Sequence, residues 1–519
     1  MPAPVADVIK RRPFIGLATG ALAAAAVGCR HDRVQSGESR LIVFYPLEMG
    51  DGSSESFALD GSAQWLLFEP LMKRDLNGEW QPRLALRREH SADQHTWTIH
   101  LRPDVMWQDG EPFTAHDVKF TFDLLSHPDV LEAPAGFPPG SSVTVLNDST
   151  FTINYTREIR DPLNDTPFYP RHLLEHLDPK SFRKWDFWTH PVGNGPYRFV
   201  RAVPMTLTEF AASPTYYRGR PTISRVVLKG LTAESALNEL TSGSVDVIWL
   251  DPKSLPAVRQ DQRFHVYYTA WPAMLNAIVW HHGHPLFREA TMRRALTLAI
   301  NRAELRQLLN LPKEIPVLDV VPSERQFRRG EVPGPLPFDP VGAKRLLDEA
   351  GWRVVGADGT RERAGRPFRF TALVGGDPAS AVYIQAQLRA VGVQMDLETM
   401  DWSTVRARTR AGDFEAVMMR MNTGPGALSD WFGDGCPFGY ANSRVSALIR
   451  EAQLTADPND LDRVYRALMP IFQADVPVTF LFPRVFATVA ARKLSGLRSP
   501  YGADMVYHME ELWLDDGRH

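Results

Sequence analysis

Four polar or aromatic side chains near the end of one predicted strand could hold a small molecule. Arg420 and Asn422 follow a strand predicted over residues 414–419, and ligands of α/β sheets usually bind at the carboxyl ends of strands. Asp430 could pair with a ligand ammonium group, and Trp431 could cover that group. A solvated ion pair or a loop cap explains Arg420 and Asp430 equally well, so both interpretations stay open.

Three histidines, His281, His282 and His284, could bind a transition metal, because imidazole is a common ligand of such ions. Successive residues of a strand point to opposite faces, so His281 and His282 could not easily share one ion. A polar loop is the favoured interpretation, and no metal or other cofactor is predicted. The two cysteines, Cys29 and Cys436, are far apart in sequence, which excludes a disulfide framework or a cysteine-based metal site.

Composition and missing motifs exclude several functional classes. The chain has 519 residues, enough for two or three domains, a net charge of −3 and no block of lysine and arginine of the kind that binds nucleic acid. It contains no Gly-x-Ser-x-Gly, His-Glu-x-x-His or P-loop motif. Residues 192–199 contain Gly-x-Gly but lack the third glycine of a dinucleotide-binding turn. A secreted hydrolase is therefore a weak alternative.

The amino terminus has the organisation of an export signal. Basic residues at 10–12 precede an apolar run at 17–27, which is too short for a permanent membrane helix of about 20 residues. The arginine pair resembles a twin-arginine signal, and the segment ending at Cys29 resembles a lipobox, which predicts acylation of Cys29. Ordinary cleavage after residues 24–26 stays open as an alternative. Residues 30–38 are polar and predict a flexible tether.

The predicted tether joins the signal segment to the rest of the chain. The protein is accordingly predicted to be periplasmic or otherwise extracytoplasmic, and to be anchored to the membrane through Cys29 if the lipobox is used.

Alternating helices and strands in the second half of the chain must position the candidate residues. Asp339 predicts a helix cap, with proline at the first helical position and Gly351 as the stop. Such βα alternation predicts an α/β lobe. The predicted helices are 379–390, 402–411, 443–454 and 461–473, and the predicted strands are 394–399, 414–419 and 476–482.

Residues 93–118 combine readable local signals with a family hallmark. The alternating apolar residues of 97–101 predict a strand, Gly110 a tight turn, and Thr114 with Asp117 a capping-box helix start. The order of residues in this block resembles the signature of the family 5 extracytoplasmic solute-binding proteins. These are the oligopeptide, dipeptide and nickel receptors of ABC importers.

Further segments resemble family elements in the same order along nearly the whole chain. They are residues 77–85, 170–174, 192–199, 216–228, 242–248, 293–302 and 339–351. The resemblance implies an α/β, two-lobe periplasmic-binding-protein fold with a ligand cleft between the lobes and an extra domain inserted in the first lobe. It places the first lobe at 38–270 plus 487–519, the insertion at about 60–185, and the second lobe at 271–486.

The resemblance also implies a function and further contact residues. The chain would be a non-enzymatic, monomeric component of an ABC transporter that captures a peptide-like solute and delivers it to the membrane permease and its ATPase. Trp271 and Asn276 fall in a segment that resembles the strand lining the family's cleft, and Tyr440 falls in a Gly-Tyr-x-Asn element. Core packing of Trp271 and a helix-starting role for Tyr440 stay open.

One departure from the family pattern concerns the solute. Dipeptide-binding members hold the ligand ammonium with an aspartate, and the aligned position here falls near residues 423–425, where no aspartate occurs. A receptor for a non-peptide solute, such as a nickel chelate, haem or an oligosaccharide, is therefore kept as the alternative.

Overall fold

The computed structural model describes residues 39–46, 61–75, 80–130, 140–156, 166–354, 358–375, 378–424, 427–454, 458–497 and 505–515. All of them lie in one compact unit of the chain, residues 39–519. The predicted signal segment, the tether and Cys29 lie outside the described residues. Within these ranges, no helix combines the length and the apolar composition that a membrane span needs.

Strands and helices alternate along the described chain. The strands are β1 (Arg40–Pro46), β2 (Met72–Arg74), β3 (Trp80–Pro82), β4 (Ala85–His90), β5 (Thr96–Leu101), β6 (Ser142–Asn147), β7 (Thr150–Asn154), β8 (Tyr197–Val203), β9 (Leu207–Ala212), β10 (Arg225–Leu231), β11 (Val247–Leu250), β12 (Phe264–Trp280), β13 (Arg353–Val354), β14 (Arg361–Arg363), β15 (Arg366–Pro367), β16 (Arg369–Val374), β17 (Gln394–Thr399), β18 (Ala416–Asn422), β19 (Val478–Ala491), β20 (Leu494–Ser495) and β21 (Trp513–Leu514).

The α-helices are α1 (Gly61–Leu67), α2 (Ala115–Leu125), α3 (Arg171–Leu174), α4 (Ala233–Thr241), α5 (Ala290–Leu298), α6 (Arg302–Leu308), α7 (Glu324–Arg329), α8 (Pro340–Glu349), α9 (Pro378–Arg389), α10 (Trp402–Arg410), α11 (Leu428–Phe432), α12 (Ser443–Leu454) and α13 (Pro458–Asp475). Short 3₁₀ helices span Pro179–Lys184, Asp186–Thr189, Pro252–Ala257 and Met505–Glu511.

One mixed sheet of ten strands runs through both halves of the molecule, in the order β17-β16-β18-β12-β19-β11-β1-β10-β9-β8. Its second-half strands β16, β17 and β18 are parallel, as are β1, β10 and β11 in the first half. The antiparallel pair β12 and β19 joins the two halves. A separate four-stranded sheet, β4-β5-β7-β6, belongs to the first half.

Residue alternation divides the second half of the sheet between two cores, because successive side chains of a strand face opposite sides. Leu275, Ala277 and Val279 of β12 lie in one apolar core, and Ile278 and Trp280 lie in the other. Helices cover both faces, so strands here are apolar on both sides, as is typical of α/β lobes. The first half has its own cores on the two faces of the sheet.

Several local predictions are confirmed. Thr114 caps α2 in a capping box with Asp117, whose carboxylate accepts the Thr114 backbone N–H at 2.8 Å. The predicted strand at 97–101 is β5, with the expected alternation of buried and half-buried residues. Asp339 caps α8, and Gly351 beyond its end has a φ of +84°, which glycine adopts without strain.

Two predicted boundaries are wrong. The last long strand does not end at residue 482: it continues to Ala491, because Pro483 lies at a register irregularity, where the missing N–H disrupts no regular ladder. Residues 293–302 resemble an element that forms one helix in the family, but here the helix α5 ends at Leu298. Asn301 then begins α6, and its side chain accepts the Glu304 N–H at 3.1 Å. The lobe boundaries themselves remain predictions.

Candidate functional site

A two-stranded crossover ribbon connects the two halves of the main sheet. We define it as residues 269–276 of β12 with residues 482–486 of β19. On one side, β12 pairs with β18 only from Met274 onward. On the other side, β19 pairs with β11 only from Ala487 onward. The crossover ribbon therefore connects the part of the sheet that contains β11 to the part that contains β18. In a two-lobed protein the cleft lies at such a connection between lobes.

The crossover ribbon exposes aromatic and cationic side chains. Trp271 is 38% exposed, and its ring meets that of Phe486 edge-on with centroids 5.6 Å apart. Arg484, directly opposite Trp271 in the ladder, holds its guanidinium 4.1 Å above the Phe486 ring. Arg484 Nη1 also donates to Met274 Sδ at 3.7 Å. A large exposed indole beside a half-buried cation is a surface suited to a ligand.

The end of β18 supplies a second cation beside the crossover ribbon. β16 ends opposite Met418, so Arg420 and Asn422 lie beyond its end, at the carboxyl edge of the parallel strands. Arg420 is directly opposite Asn276, and its guanidinium lies 4.8 Å from the Trp402 ring centroid. This edge is where α/β sheets usually bind ligands.

The two guanidinium groups lack a close anionic partner. Among the described residues, no carboxylate oxygen lies within 4.0 Å of Arg420 or Arg484. Burial, and then the positive charge of Arg420, lowers the pKa of Arg484 to about 10. Burial likewise lowers the pKa of Arg420. In both cases the charge of Asp251 acts in the opposite direction.

Asp251 is the acidic residue from the first half of the sheet whose charge acts on the two arginines. It follows β11 and caps the 3₁₀ helix Pro252–Ala257 by accepting the Lys253 backbone N–H at 3.1 Å. Its side chain is 60% exposed, and Lys253 Nζ lies 3.8 Å from it. The carboxylate is therefore solvated and placed in the electrostatic range of both arginines without neutralising either.

The predicted contact residues fall into two groups. Trp271, Asn276, Arg420 and Asn422 come together at the crossover ribbon, where Asn276 Nδ2 donates to the Phe482 carbonyl at 3.2 Å. The other three predicted residues, Asp430, Trp431 and Tyr440, do not lie on the crossover ribbon.

Asp430 and Trp431 lie on α11; Asp430 is exposed and Trp431 packs against an apolar core. Tyr440 is buried in the same core and donates to Asp475 Oδ2 at 2.7 Å. Among the described residues, no hydrogen bond, ion pair or ring contact joins these three side chains to the crossover ribbon. The ligand contacts of all seven residues remain predictions.

Sequence reasoning missed Arg484, Asp251 and Trp402. Arg484 carried a usable signal, since a lone arginine interrupts the apolar run that continues on both sides of Pro483. Asp251 and Trp402 have local structural explanations as helix starts, and only the tertiary fold brings them near Arg420.

The histidine cluster does not converge on one point. His282 is buried against Phe438 and Tyr440, its Nε2 lies 2.9 Å from the Pro477 carbonyl oxygen, and burial lowers its pKa to about 4. His281 packs against Phe414, and His284 Nε2 lies 3.4 Å from Glu415 Oε1. The imidazoles thus have separate neighbours, as expected for a loop.

A buried ionic network occupies the first half of the molecule. Lys73 Nζ lies 3.0 Å from Glu510 Oε1, and Arg83 Nη2 lies 3.4 Å from the same oxygen. Arg83 Nε lies 3.6 Å from Glu69 Oε1, and Tyr216 donates to Glu69 Oε2 at 3.0 Å. The four charged side chains are at most 5% exposed. Each cation therefore has a buried carboxylate partner.

His508, Glu510 and Glu511 offer three possible metal-ligand atoms within 4.8 Å of one another beside this network. Glu510 is already bonded to Lys73 and close to Arg83. A metal cation would have to displace these positive groups or lie against them, which disfavours metal binding electrostatically.

Comparisons with known proteins agree with this architecture. Residues 79–434 match the family model described as bacterial extracellular solute-binding proteins, family 5 middle. A Brucella abortus protein named for peptide binding by an ABC transporter is 28% identical over 392 residues, 72% of each chain. The oligopeptide-binding protein AppA of Bacillus subtilis is 23% identical over 443 residues, 80% of each chain.

Among solved structures, NikZ from Campylobacter jejuni in complex with Ni(L-His) aligns with a TM-score of 0.71 at 22% identity. The alignment covers 91% of this chain and 99% of NikZ. Likeness at this identity concerns the fold, and it confirms the predicted α/β, two-lobe architecture.

Proposed function

Since the chain belongs to the bacterial extracellular solute-binding proteins of family 5, we propose that it captures a peptide-like solute and delivers it to the membrane permease of an ABC importer. The observation that carries this proposal is the surface of the crossover ribbon and the adjoining end of β18. It presents the exposed Trp271 together with Arg484 and Arg420, which have no carboxylate within 4.0 Å among the described residues. The relatives named for peptide and oligopeptide binding support the solute class.

The physical mechanism is lobe closure around the solute. A solute that contacts both Asp251 of the first lobe and Arg420 of the second would bind the closed state more tightly than the open one. That difference in affinity shifts the population toward the closed state, which the permease then recognises. The family binds solutes, and we propose that this chain likewise acts without catalysis, as a monomer, with permease and ATPase subunits as its partners.

Placement outside the cytoplasm follows from the same proposal. Residues 1–29 would direct export through a twin-arginine-like signal, and Cys29 would be acylated to anchor the protein. Labelling of cells with palmitate should mark the wild type and leave Cys29→Ser unlabelled. Equal labelling of both proteins, or of neither, would contradict the anchor while leaving solute binding untouched.

A metal-chelate receptor is the second candidate. A pair of arginines can hold carboxylates of a chelating ligand as well as those of a peptide, and the fold is shared with a structure that contains Ni(L-His). Histidines are not required at the crossover ribbon for this use if the chelator supplies the metal ligands.

The test is to identify what the protein carries. The protein is purified from its native host and denatured, and the released small molecules are analysed by mass spectrometry, with the same preparation of an unrelated exported protein as a control. A peptide mixture found only in the test sample would support the proposal, and a nickel chelate would support the second candidate. A consistently empty cleft that also fails to bind added peptides or chelate would overturn both.

A further inference from the structure

Arg420 and Arg484 come from different strands and lie on one face of the sheet, close enough for their charges to interact. Arg420 lies opposite Asn276, and Asn422 lies opposite Met274, so these four residues share a face with period-two spacing. Arg484 reaches the same face, because its Nη1 contacts Met274 Sδ. Two residues that are distant in sequence are therefore placed beside one short stretch of the crossover ribbon.

Aromatic rings fix both guanidinium groups in position. Arg420 stacks with Trp402 at 4.8 Å and Arg484 with Phe486 at 4.1 Å. A stacked guanidinium presents its N–H donors at its edge, where a carboxylate can accept two of them at once. Within the described residues, the only side-chain hydrogen bond of either group is that of Arg484 with the Met274 thioether, a weak acceptor.

The electrostatics of the pair are unbalanced. The two positive charges repel each other and are half-buried. Asp251, whose negative charge favours the charged form of both arginines, is exposed and already caps a helix. Burying like charges without a partner is unfavourable. An anion bound between the two groups would supply the missing partner.

We propose that Arg420 and Arg484 together bind a carboxylate of the solute and so make the receptor selective for solutes that carry one. This inference rests on the proposed function and specifies the solute class of the same cleft. The carboxylate can be the free carboxyl terminus of a peptide or a carboxylate of a metal chelate, and the two sources share the chemistry that the arginines recognise.

The test is a cycle that varies the protein and the solute separately. The purified protein is unfolded and refolded to remove bound solute, and calorimetry then measures its affinity for short synthetic peptides with free or amidated carboxyl termini. A second arm uses nickel with histidine or with histidinamide. The proteins are the wild type, the R420Q/R484Q double variant, and R406Q as a matched control, because Arg406 is exposed on the helix that carries Trp402.

We expect amidation to weaken binding to the wild type and to R406Q by roughly 10- to 100-fold, the range for losing a charge-assisted contact. The double variant should bind the free-carboxylate solute as weakly as the wild type binds the amide, and amidation should then have little further effect. The peptide and histidine arms show which source supplies the carboxylate.

Failure of this inference differs from failure of the proposed function. If the wild type binds free and amidated solutes equally, or if the double variant still distinguishes them, the arginines do not bind the carboxylate although the protein remains a receptor. If the wild type binds no solute in either arm while circular dichroism shows that it has refolded, the proposed function fails for these solutes and this inference fails with it.

Discussion

The molecule contains two groups of buried or half-buried cations with opposite electrostatic arrangements. In the predicted first lobe, Lys73 and Arg83 are almost completely buried and each lies close to Glu510. We call this buried ionic network the first-lobe network. At the crossover ribbon, Arg420 and Arg484 stack on aromatic rings and have no carboxylate within 4.0 Å among the described residues. Cationic side chains are thus paired with carboxylates of the protein in one region. In the other region they have no such partner among the described residues.

The comparison separates a structural role from a binding role. A buried charge is tolerated when its partners are supplied by the fold, and removal of one partner leaves the others unsatisfied. Two like charges without a counter-ion lower the free energy of unfolding of the ligand-free protein. Binding of an anion can restore that stability.

Removal of the shared carboxylate of the first-lobe network should strongly destabilise the protein. In Glu510→Gln, Lys73 and Arg83 lose their common anionic partner, which should lower the free energy of unfolding by about 3–5 kcal/mol. Urea unfolding followed by tryptophan fluorescence measures the change. Glu511→Gln is the control, because its side chain is 43% exposed and its loss should cost less than about 1 kcal/mol. Equal stability of E510Q and the wild type would contradict a structural role for the network.

The first-lobe network should also make stability depend on pH. Burial, and then the charge of Lys73, lowers the pKa of His508 to about 4, although Glu510 and Glu511 act in the opposite direction. Above about pH 6.5 the imidazole is neutral in both states. Between pH 6.5 and 4 the unfolded chain binds a proton that the folded chain does not, so stability falls as the pH is lowered. The decrease levels off below pH 4.

Comparison of the wild type with His508→Gln at pH 7 and pH 5 measures this effect. The wild type should lose about 2 kcal/mol more than the variant over this interval, at about 1.4 kcal/mol per pKa unit. His282, whose pKa is also lowered to about 4, leaves a pH dependence in both proteins. Parallel pH profiles would show that His508 titrates normally. The arginines stay charged throughout, since even Arg484 has a pKa of about 10.

The smallest effect is expected at the crossover ribbon. Arg484→Gln removes one of two repelling charges, so the solute-free variant should unfold within about 1 kcal/mol of the wild type or be slightly more stable. Thermal unfolding of the refolded, solute-free proteins measures the difference. A loss comparable to that of E510Q would mean that Arg484 has a structural partner and would remove the contrast between the two regions.

Local signals predicted local structure well. Thr114 and Asp117 specify the start of α2 because both hydrogen-bonding partners are three residues apart in the sequence. Asp339 and Gly351 bracket α8 for a similar reason. Trp271 and Asn276, in the segment that resembles the family's cleft strand, both lie on the 17-residue strand β12, where Asn276 pairs with Arg420. Their contacts with a ligand remain predictions.

Charge relations between distant segments could not be predicted. Nothing near Arg484 in the sequence reveals that Arg420 lies beside it, and nothing near Lys73 reveals Glu510. Which residues are left without a partner is a property of the whole fold, because it depends on every carboxylate that approaches. The predicted end of the last strand at residue 482 was also too early, since β19 continues through Pro483, where the ladder is already irregular.

The irregular pairing of the crossover ribbon has a mechanical consequence. Between the pairs Trp271–Arg484 and Leu275–Pro483, β12 advances four residues while β19 advances one. The extra residues of β12 are held by Thr423, directly after β18, whose backbone N–H donates to the Ala273 carbonyl at 2.7 Å. A ribbon with an interrupted ladder resists twisting least at the interruption. We therefore expect the bend between the lobes at the residues that we propose bind the solute, so that lobe movement and solute binding would depend on the same few residues.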